Sequence, residues 1–141
     1  MQVAASLPSA IVAPMNDESK PIRVIVADDD EDNRDLLADM INRDETVELV
    51  GTALDANSAI NLAEKEEPDV AVLDWMMPNG GGPKAAEAIK SQRDEIRIVG
   101  ISAGDPMVAS TQMGTTGAVA FLQKGFSREE LVEAIHSAVR W

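Results

Sequence analysis

From Pro21 onwards, short runs of apolar and β-branched residues alternate with longer stretches of helical periodicity. Strands are predicted at residues 22–27, 47–53, 69–74, 96–102 and 118–123. A helical stretch follows each predicted strand, and parallel strands need crossover connections of this length. The runs "IRVIVA" and "DVAVLD" are almost continuously apolar, as in strands that are covered on both faces. The alternation therefore predicts an α/β fold with five βα units around one parallel sheet.

The predicted helices carry start and stop signals of their own. The start signals are Asp55 for the second helix, Pro83 for the third, Asp105 with Pro106 for a short fourth, and Ser127 with Glu130 for the last. Stops are expected at Pro68 and Gly114. The apolar positions expected to face the sheet are Leu36, Leu37, Met40 and Ile41 in the first helix, and Leu131, Ile135, Ala138 and Val139 in the last. These spacings predict amphipathic helices that pack on a sheet.

The chain is long enough for a single core. Its 141 residues with 45% apolar composition suit one domain, which we place at residues 21–141. Residues 1–20 have no basic segment, and Pro8 and Pro14 interrupt their apolar residues, so we interpret them as a flexible N-terminal extension and not as a targeting signal. No apolar run approaches the roughly 20 residues that a membrane helix needs, which predicts a soluble protein.

The charge of the chain limits its partners. A formal charge of −13 argues against direct binding to nucleic acid or to an anionic membrane, because both need clustered Lys and Arg. A divalent cation or a basic partner surface is favoured instead. The chain has no cysteine, so it has neither disulfides nor thiol chemistry, as expected of a protein in the reducing cytoplasm.

Chemically capable side chains stand where the predicted strands end. Asp28 and Asp29 follow the first strand, Asp74 ends the third, Ser102 ends the fourth and Lys124 follows the fifth. Ligands of open parallel sheets bind outside the carboxyl ends of the strands. Each residue alone has an ordinary explanation as a cap, a turn or a surface charge, but together they predict one site. Crowded carboxylates repel one another, so this site is expected to need a cation.

Four motifs make the chain similar to a known family. They are the acidic residues of "VADDD", the loop "LDWMMP", the hydroxyl residue of "ISA", and the aromatic residue and lysine of "FLQKGF". In this order and spacing they resemble the receiver domain of two-component response regulators, over roughly residues 22–140. The resemblance implies a flavodoxin-like, doubly wound sheet of five parallel strands in the order 2-1-3-4-5, with five helices.

The resemblance also implies roles for the site residues. Asp74 would accept a phosphoryl group and would also be a ligand of Mg²⁺. Asp29 would bind Mg²⁺ directly, and Asp28 would bind it directly or through water. The backbone carbonyl of Met76 would supply another ligand, which fits the preference of Mg²⁺ for oxygen. Lys124 and Ser102 would contact the phosphoryl group. Ser102 and Phe121 would form the conformational switch, although Phe121 can equally be an ordinary core residue.

The function implied is a phosphorylation-dependent signalling switch in the cytoplasm. A sensor histidine kinase, a phosphotransfer protein or a small phosphodonor would supply the phosphoryl group. The domain would catalyse its own phosphorylation and dephosphorylation without turning over a separate substrate. Its altered face would bind an unknown downstream protein, and it would be a monomer or a phosphorylation-dependent dimer.

Two departures from the family pattern leave alternatives open. The family usually has a proline after the lysine, joined by a cis peptide, where this chain has Gly125. The loop "PNGGG" is unusually rich in glycine, which suggests a mobile segment after Asp74. A pseudo-receiver that is never phosphorylated would keep the fold without the chemistry. A second alternative is the N-terminal part of a DNA-binding response regulator.

Other classes of protein fit less well. A haloacid-dehalogenase-type phosphatase would need a second Asp where Met76 stands, and a flavodoxin would need a phosphate-binding loop in place of the acidic cluster. His136 invites comparison with phosphorelay histidines, but it lies in the predicted last helix, where we interpret it as a surface residue. Trp75 is expected to line the rim of the site.

Overall fold

The computed structural model describes residues 20–104 and 116–140. Its strands are β1 (Ile22–Ala27), β2 (Val47–Ala53), β3 (Val70–Asp74), β4 (Arg97–Ser102) and β5 (Ala118–Gln123). Its helices are α1 (Glu31–Asn42), α2 (Ala56–Glu66), α3 (Gly81–Gln92) and α4 (Arg128–Arg140). All five predicted strands are present, and none of their ends is displaced by more than one residue.

Two of the predictions fall largely outside this part of the chain. The short helix expected between Asp105 and Gly114 lies outside the described residues, so the helices within the described ranges number four instead of five. Residues 1–19 also lie outside them, and the division into an extension at 1–20 and a domain at 21–141 stays a prediction. No helix within residues 20–104 or 116–140 is long and apolar enough to cross a membrane.

The five strands form one parallel sheet in the order β2-β1-β3-β4-β5. This is the predicted flavodoxin-like, doubly wound arrangement. Every residue of the central strand β3 is buried, which explains why its sequence shows no alternation of polar and apolar residues. Because β1 and β3 are neighbours and parallel, the carboxylates that follow β1 and end β3 meet at one edge of the sheet.

The core lies on both faces of the sheet. One cluster joins alternate strand residues such as Ile25 and Leu73 to the small side chains of α2 and α3. The other joins the intervening residues, such as Val72, to α1 and α4. Burial on both faces explains the nearly unbroken apolar runs in the sequence, and it fixes the positions of the strand ends.

The caps of two helices confirm the predicted start signals. The carboxylate of Asp55 accepts a hydrogen bond from the Ser58 N–H at 2.7 Å, and Ser58 Oγ accepts one from the Asp55 N–H at 3.2 Å. Ser127 Oγ accepts from the Glu130 N–H at 3.1 Å, and Glu130 Oε1 accepts from the Ser127 N–H at 2.8 Å. Each pair satisfies backbone donors that the first turn of a helix leaves unpaired.

Three details of the predicted helices are wrong. Leu36 and Val139 are 53% and 40% exposed, so the buried stripes of α1 and α4 are narrower than predicted. A helix that packs on a sheet buries only the positions that point most directly at the strands. α3 begins at Gly81 and not at Pro83. Proline is compatible with the first turn because the N–H groups there have no partner within the helix.

The glycine-rich loop after β3 has a packing explanation. A Cβ atom at Gly82 would lie 2.4 Å from Cε3 of Trp75 and 2.9 Å from the carbonyl oxygen of Asp74. At Gly81 it would lie 2.6 Å from the carbonyl oxygen of Trp75, and Gly81 also has a φ of +69°. These two glycines therefore allow the start of α3 to approach the end of β3 closely.

Substitution at Gly82 tests this packing. We expect Gly82→Ala to lower the free energy of unfolding by about 1–3 kcal/mol, because the new methyl group would overlap backbone atoms that cannot easily move. The matched control is Gly104→Ala, where the nearest atom that a Cβ would meet among the described residues is Ser102 Oγ, at an ordinary 3.6 Å. Denaturant unfolding measures both variants, and an equal loss of stability in the two would contradict this explanation.

Candidate functional site

Three carboxylates meet at the carboxyl edge of the sheet. Asp28, Asp29 and Asp74 each offer an oxygen atom, and these atoms all lie within 4.8 Å of one another. Asp28 and Asp74 are only 1% and 2% exposed, whereas Asp29 faces solvent. The structure thus brings together the three side chains that the strand ends predicted, and it leaves the cluster open on one side.

Backbone hydrogen bonds orient the two buried carboxylates. Asp28 Oδ1 accepts a hydrogen bond from the Asp30 N–H at 2.9 Å, and Asp74 Oδ1 accepts one from the Met76 N–H at 3.2 Å. A guanidinium nitrogen of Arg34 donates to the carbonyl oxygen of Asp28 at 2.9 Å, which joins α1 to the end of β1. The carboxylates are therefore held by the main chain of their own loops.

The electrostatics of the cluster favour a bound cation. The pKa of Asp28 is raised from its usual 3.8 to about 6, mainly by burial and to a smaller extent by the charge and hydrogen bonding of nearby Asp74. The hydrogen bond from the Asp30 N–H and the charge of Lys124 oppose this rise. The donor set consists of hard carboxylate oxygens, which are the ligands that Mg²⁺ prefers. A divalent cation would offset the repulsion that raises the pKa. The residues present therefore fit a magnesium site.

Lys124 brings a positive charge to the same edge. Its Nζ lies 3.6 Å from Asp74 Oδ2, and its backbone N–H donates to the carbonyl oxygen of Ser102 at 3.0 Å. The second contact fixes the end of β5 beside the end of β4. Lys124 remains partly exposed, so its side chain can also reach a group bound above Asp74.

Gly125 shapes the turn after Lys124 in place of the family's usual proline. Every peptide bond in the described ranges is trans, and Gly125 has a φ of +102°. A side chain is disfavoured at this φ, although a Cβ there would meet no atom within 4 Å. The chain thus turns differently from the usual pattern and still directs Lys124 towards Asp74.

The two predicted switch residues lie on the same face of the sheet. Ser102 Oγ accepts a hydrogen bond from the Gly104 N–H at 3.0 Å, so it is engaged by its own loop. Phe121 is partly buried and packs edge-on against Trp75, with ring centroids 4.6 Å apart and an interplanar angle of 82°. Trp75 is only 8% exposed, so the prediction that it lines the rim is wrong. It is buried because glycines at 82 and 100 leave room for its ring.

A comparison with known protein families identifies the family of this chain. Residues 24–136 match the response regulator receiver domain, which is most of the chain. The chain belongs to the response regulator receiver family. As a receiver domain of two-component signalling, it combines the flavodoxin-like sheet with the acidic cluster expected of that family.

Its relatives include proteins named as regulators of transcription. The receiver is 38% identical over 123 residues to the transcriptional regulatory protein PdtaR of Mycobacterium tuberculosis, covering 87% of this chain and 59% of that protein. It is 34% identical over 120 residues to the probable transcriptional regulatory protein NarL of the same organism, covering 85% and 56%. The chain thus spans little more than half the length of these relatives.

A solved structure supports the same family. The signal receiver domain of the putative response regulator NarL from Mycobacterium tuberculosis has a TM-score of 0.81 to this receiver, at 33% identity. The comparison covers 86% of this chain and 98% of that one.

Two other predicted residues, His136 and Met76, contribute no side chain to the acidic cluster. His136 Nε2 lies 2.8 Å from Thr46 Oγ1, and Thr46 immediately precedes β2 at the opposite edge of the sheet. The interpretation of His136 as a residue outside the site is therefore consistent with its position. The side chain of Met76 is 76% exposed, and the role of its carbonyl as a metal ligand stays a prediction.

Sequence reasoning missed two features next to the carboxylates. The first is a cavity of about 150 Å³ between α1 and the turn after β5, which is lined by Asp28, Asn33, Leu36, Leu37, Met40, Ile101, Lys124, Gly125 and Phe126. The second is the contact between Trp75 and Phe121. The one available sequence signal for the second was Gly100, because a glycine inside a strand often marks the close approach of another group.

Proposed function

We propose that this receiver domain is a phosphorylation-controlled switch that accepts a phosphoryl group on Asp74. The observation that carries the proposal is the position of Asp74, which is buried beside Asp28 and Asp29 and has a carboxylate oxygen 3.6 Å from the ammonium nitrogen of Lys124. Such a carboxylate is suited to phosphoryl transfer, because a bound cation and the ammonium group can offset the negative charges of the carboxylate and the phosphoryl group.

The chemistry follows from the donor set. Asp28 and Asp29, with the carbonyl of Met76, would hold Mg²⁺. When bound, the ion neutralises negative charge on the oxygens of the phosphoryl group. Asp74 attacks phosphorus with a carboxylate oxygen, and the bond from phosphorus to the donor's nitrogen or oxygen breaks with its electron pair leaving on the donor. Water later attacks the same phosphorus, which releases phosphate and restores the carboxylate.

Lys124 and Ser102 would respond to the new group. The ammonium of Lys124, already directed at Asp74, would pair with a phosphoryl oxygen. The hydroxyl of Ser102 would donate to another oxygen, a contact that exists only in the phosphorylated state. Only such differential contacts can shift an equilibrium between two conformations. Phe121 would then take a different position behind Ser102 and alter the surface that a partner reads.

The partners and setting belong to the same proposal. A sensor histidine kinase or a phosphotransfer protein would donate the phosphoryl group, without turnover of a separate substrate. The downstream partner would be another protein or a DNA-binding output domain, and a role in regulating transcription agrees with the names of the relatives NarL and PdtaR. The receiver would act in the cytoplasm as a monomer or as a phosphorylation-dependent dimer. The contact between Lys124 and Asp74 favours this function over a pseudo-receiver.

A small phosphodonor tests the proposal without knowledge of the kinase. We expect incubation with acetyl phosphate and Mg²⁺ to add the mass of one phosphoryl group, as measured by intact-protein mass spectrometry. Replacing Mg²⁺ with a chelator should prevent this gain. Failure of the parent protein to gain mass under any donor concentration would favour the pseudo-receiver.

A further inference from the structure

The ring of Trp75 packs against two glycines, Gly82 at the start of α3 and Gly100 in β4. A Cβ at Gly82 of α3 would lie 2.4 Å from Cε3 of Trp75, and one at Gly100 of β4 would lie 3.0 Å from the same atom. Neither position could carry a side chain without displacing the ring. Trp75 therefore connects the end of β3 with the start of α3 and the interior of β4.

Phe121 uses the same space. A Cβ at Gly100 would lie 2.3 Å from Cε1 of Phe121, the residue paired with Gly100 across the strands. The Phe121 ring also makes the edge-on contact with Trp75. Because protein interiors are close-packed, neither ring can shift far unless the other moves with it.

Both ends of this aromatic pair are connected to the proposed phosphorylation site. Trp75 follows Asp74 directly in the chain, and its backbone N–H donates to the carbonyl oxygen of Ile101 at 2.8 Å. Ser102 lies two residues after Gly100 on β4 and so points to the same face of the sheet. A displacement of Ser102 towards a phosphoryl group on Asp74 would move the strand on which both rings rest.

We propose that Trp75 is a positioning residue that couples phosphorylation of Asp74 to the placement of Phe121 on β5. This inference rests on the proposed function. Trp75 touches neither the donor nor the reacting oxygen in this scheme. Its ring instead fixes which positions Phe121 can occupy as the end of β4 moves.

The test compares the phosphorylated and unphosphorylated forms of each variant. Amide hydrogen exchange of residues 118–123 is measured with and without acetyl phosphate and Mg²⁺, and mass spectrometry confirms that the variants carry equal phosphate. We expect a phosphorylation-dependent change in the parent, less than half of that change in Trp75→Leu, and most of it in Trp75→Phe, which keeps an aromatic ring. A purely structural role would alter exchange equally in both forms and leave the difference between them intact.

A second variant covers the case in which Trp75→Leu does not fold. Gly100→Ala adds a methyl group that would push the two rings apart, and we expect it to reduce the β5 response as well. Gly51→Ala, on the edge strand β2 farthest from β5, would place its Cβ against the end of the Leu62 side chain and should keep the full response. These two variants carry the same change of residue at positions with and without contact to the rings.

Tryptophan fluorescence offers an independent measurement of the surroundings of Trp75, because the chain has only two tryptophans. In a Trp141→Phe background the signal comes from Trp75, and we expect phosphorylation to change it less after Phe121→Leu than before. If Trp75→Leu or Gly100→Ala takes up phosphate and keeps the whole β5 response, the coupling is overturned and the proposed function stands. If the parent takes up no phosphate, both are overturned.

Discussion

We expect Asp74→Asn to abolish the uptake of phosphate from acetyl phosphate. Asparagine has almost the shape of aspartate, so it can still accept the hydrogen bond from the Met76 N–H. Its amide oxygen is a much poorer nucleophile towards phosphorus than a carboxylate. The loss should be complete within the sensitivity of intact-protein mass spectrometry, with Mg²⁺ present and the donor in excess.

A matched variant separates this loss from a general effect of charge. Asp94→Asn makes the same chemical change at a side chain that is 98% exposed and precedes β4, away from the acidic edge. It should take up phosphate like the parent. Circular dichroism confirms that both variants keep the α/β fold. Phosphate uptake by Asp74→Asn at the parent's rate would show that another residue is the acceptor.

We expect Asp28→Asn to stabilise the folded domain when no divalent cation is present. The carboxyl of Asp28 is buried, and its folded-state pKa is raised from 3.8 to about 6. Ionisation of this carboxyl is therefore less favourable in the folded protein than in the unfolded chain, which destabilises the folded state at neutral pH. Asparagine carries no charge, and we expect it to raise the free energy of unfolding at neutral pH by about 3 kcal/mol, because the pKa shift from 3.8 to about 6 spans roughly two units and each unit corresponds to about 1.4 kcal/mol.

The same pKa shift predicts how the stability of the parent changes with pH. Below 3.8 the carboxyl is protonated in both folded and unfolded protein, so it contributes no difference in stability. Between 3.8 and about 6 the unfolded chain ionises first, and the parent loses stability as the pH rises. Above about 6 the loss is complete and constant. The advantage of Asp28→Asn should therefore grow across this range and then level off.

Two comparisons control this experiment, which uses urea unfolding at several pH values. Asp35→Asn changes an exposed carboxylate of α1 and should show no comparable gain over the same range. Adding Mg²⁺ should stabilise the parent more than Asp28→Asn, because the variant lacks one ligand. A difference in the free energy of unfolding between Asp28→Asn and the parent that stays constant at all pH values would contradict the conclusion that ionisation of Asp28 destabilises the fold.

The sheet and the acidic cluster could be predicted from local sequence. Apolar runs bounded by helical stretches allow one arrangement in which both faces of the strands are covered, and that arrangement brings strand ends together. Asp28 and Asp74 meet because β1 and β3 are neighbours, a consequence of the predicted strand order. The order itself came from the resemblance to receiver domains and not from periodicity.

Other features depend on contacts that no local pattern encodes. Trp75 is buried because Gly82 and Gly100, which are distant in sequence from each other, both leave space for it. Lys124 reaches Asp74 even though the family's usual proline is missing, and the turn that follows it has a positive φ at Gly125, which the sequence alone did not show. Leu36 is exposed because the side of α1 that faces the sheet is set by packing, and spacing alone could not exclude it from the buried stripe.

The most direct test of this account is to locate the phosphoryl group on the chain. After reaction with acetyl phosphate and Mg²⁺, borohydride reduction converts an aspartyl phosphate to homoserine, which marks the modified residue for peptide mass spectrometry. We predict the mark at Asp74 alone. A mark at Asp28 or Asp29 in place of Asp74, or stable phosphate on Ser102 or His136 with Asp74 unchanged, would contradict it.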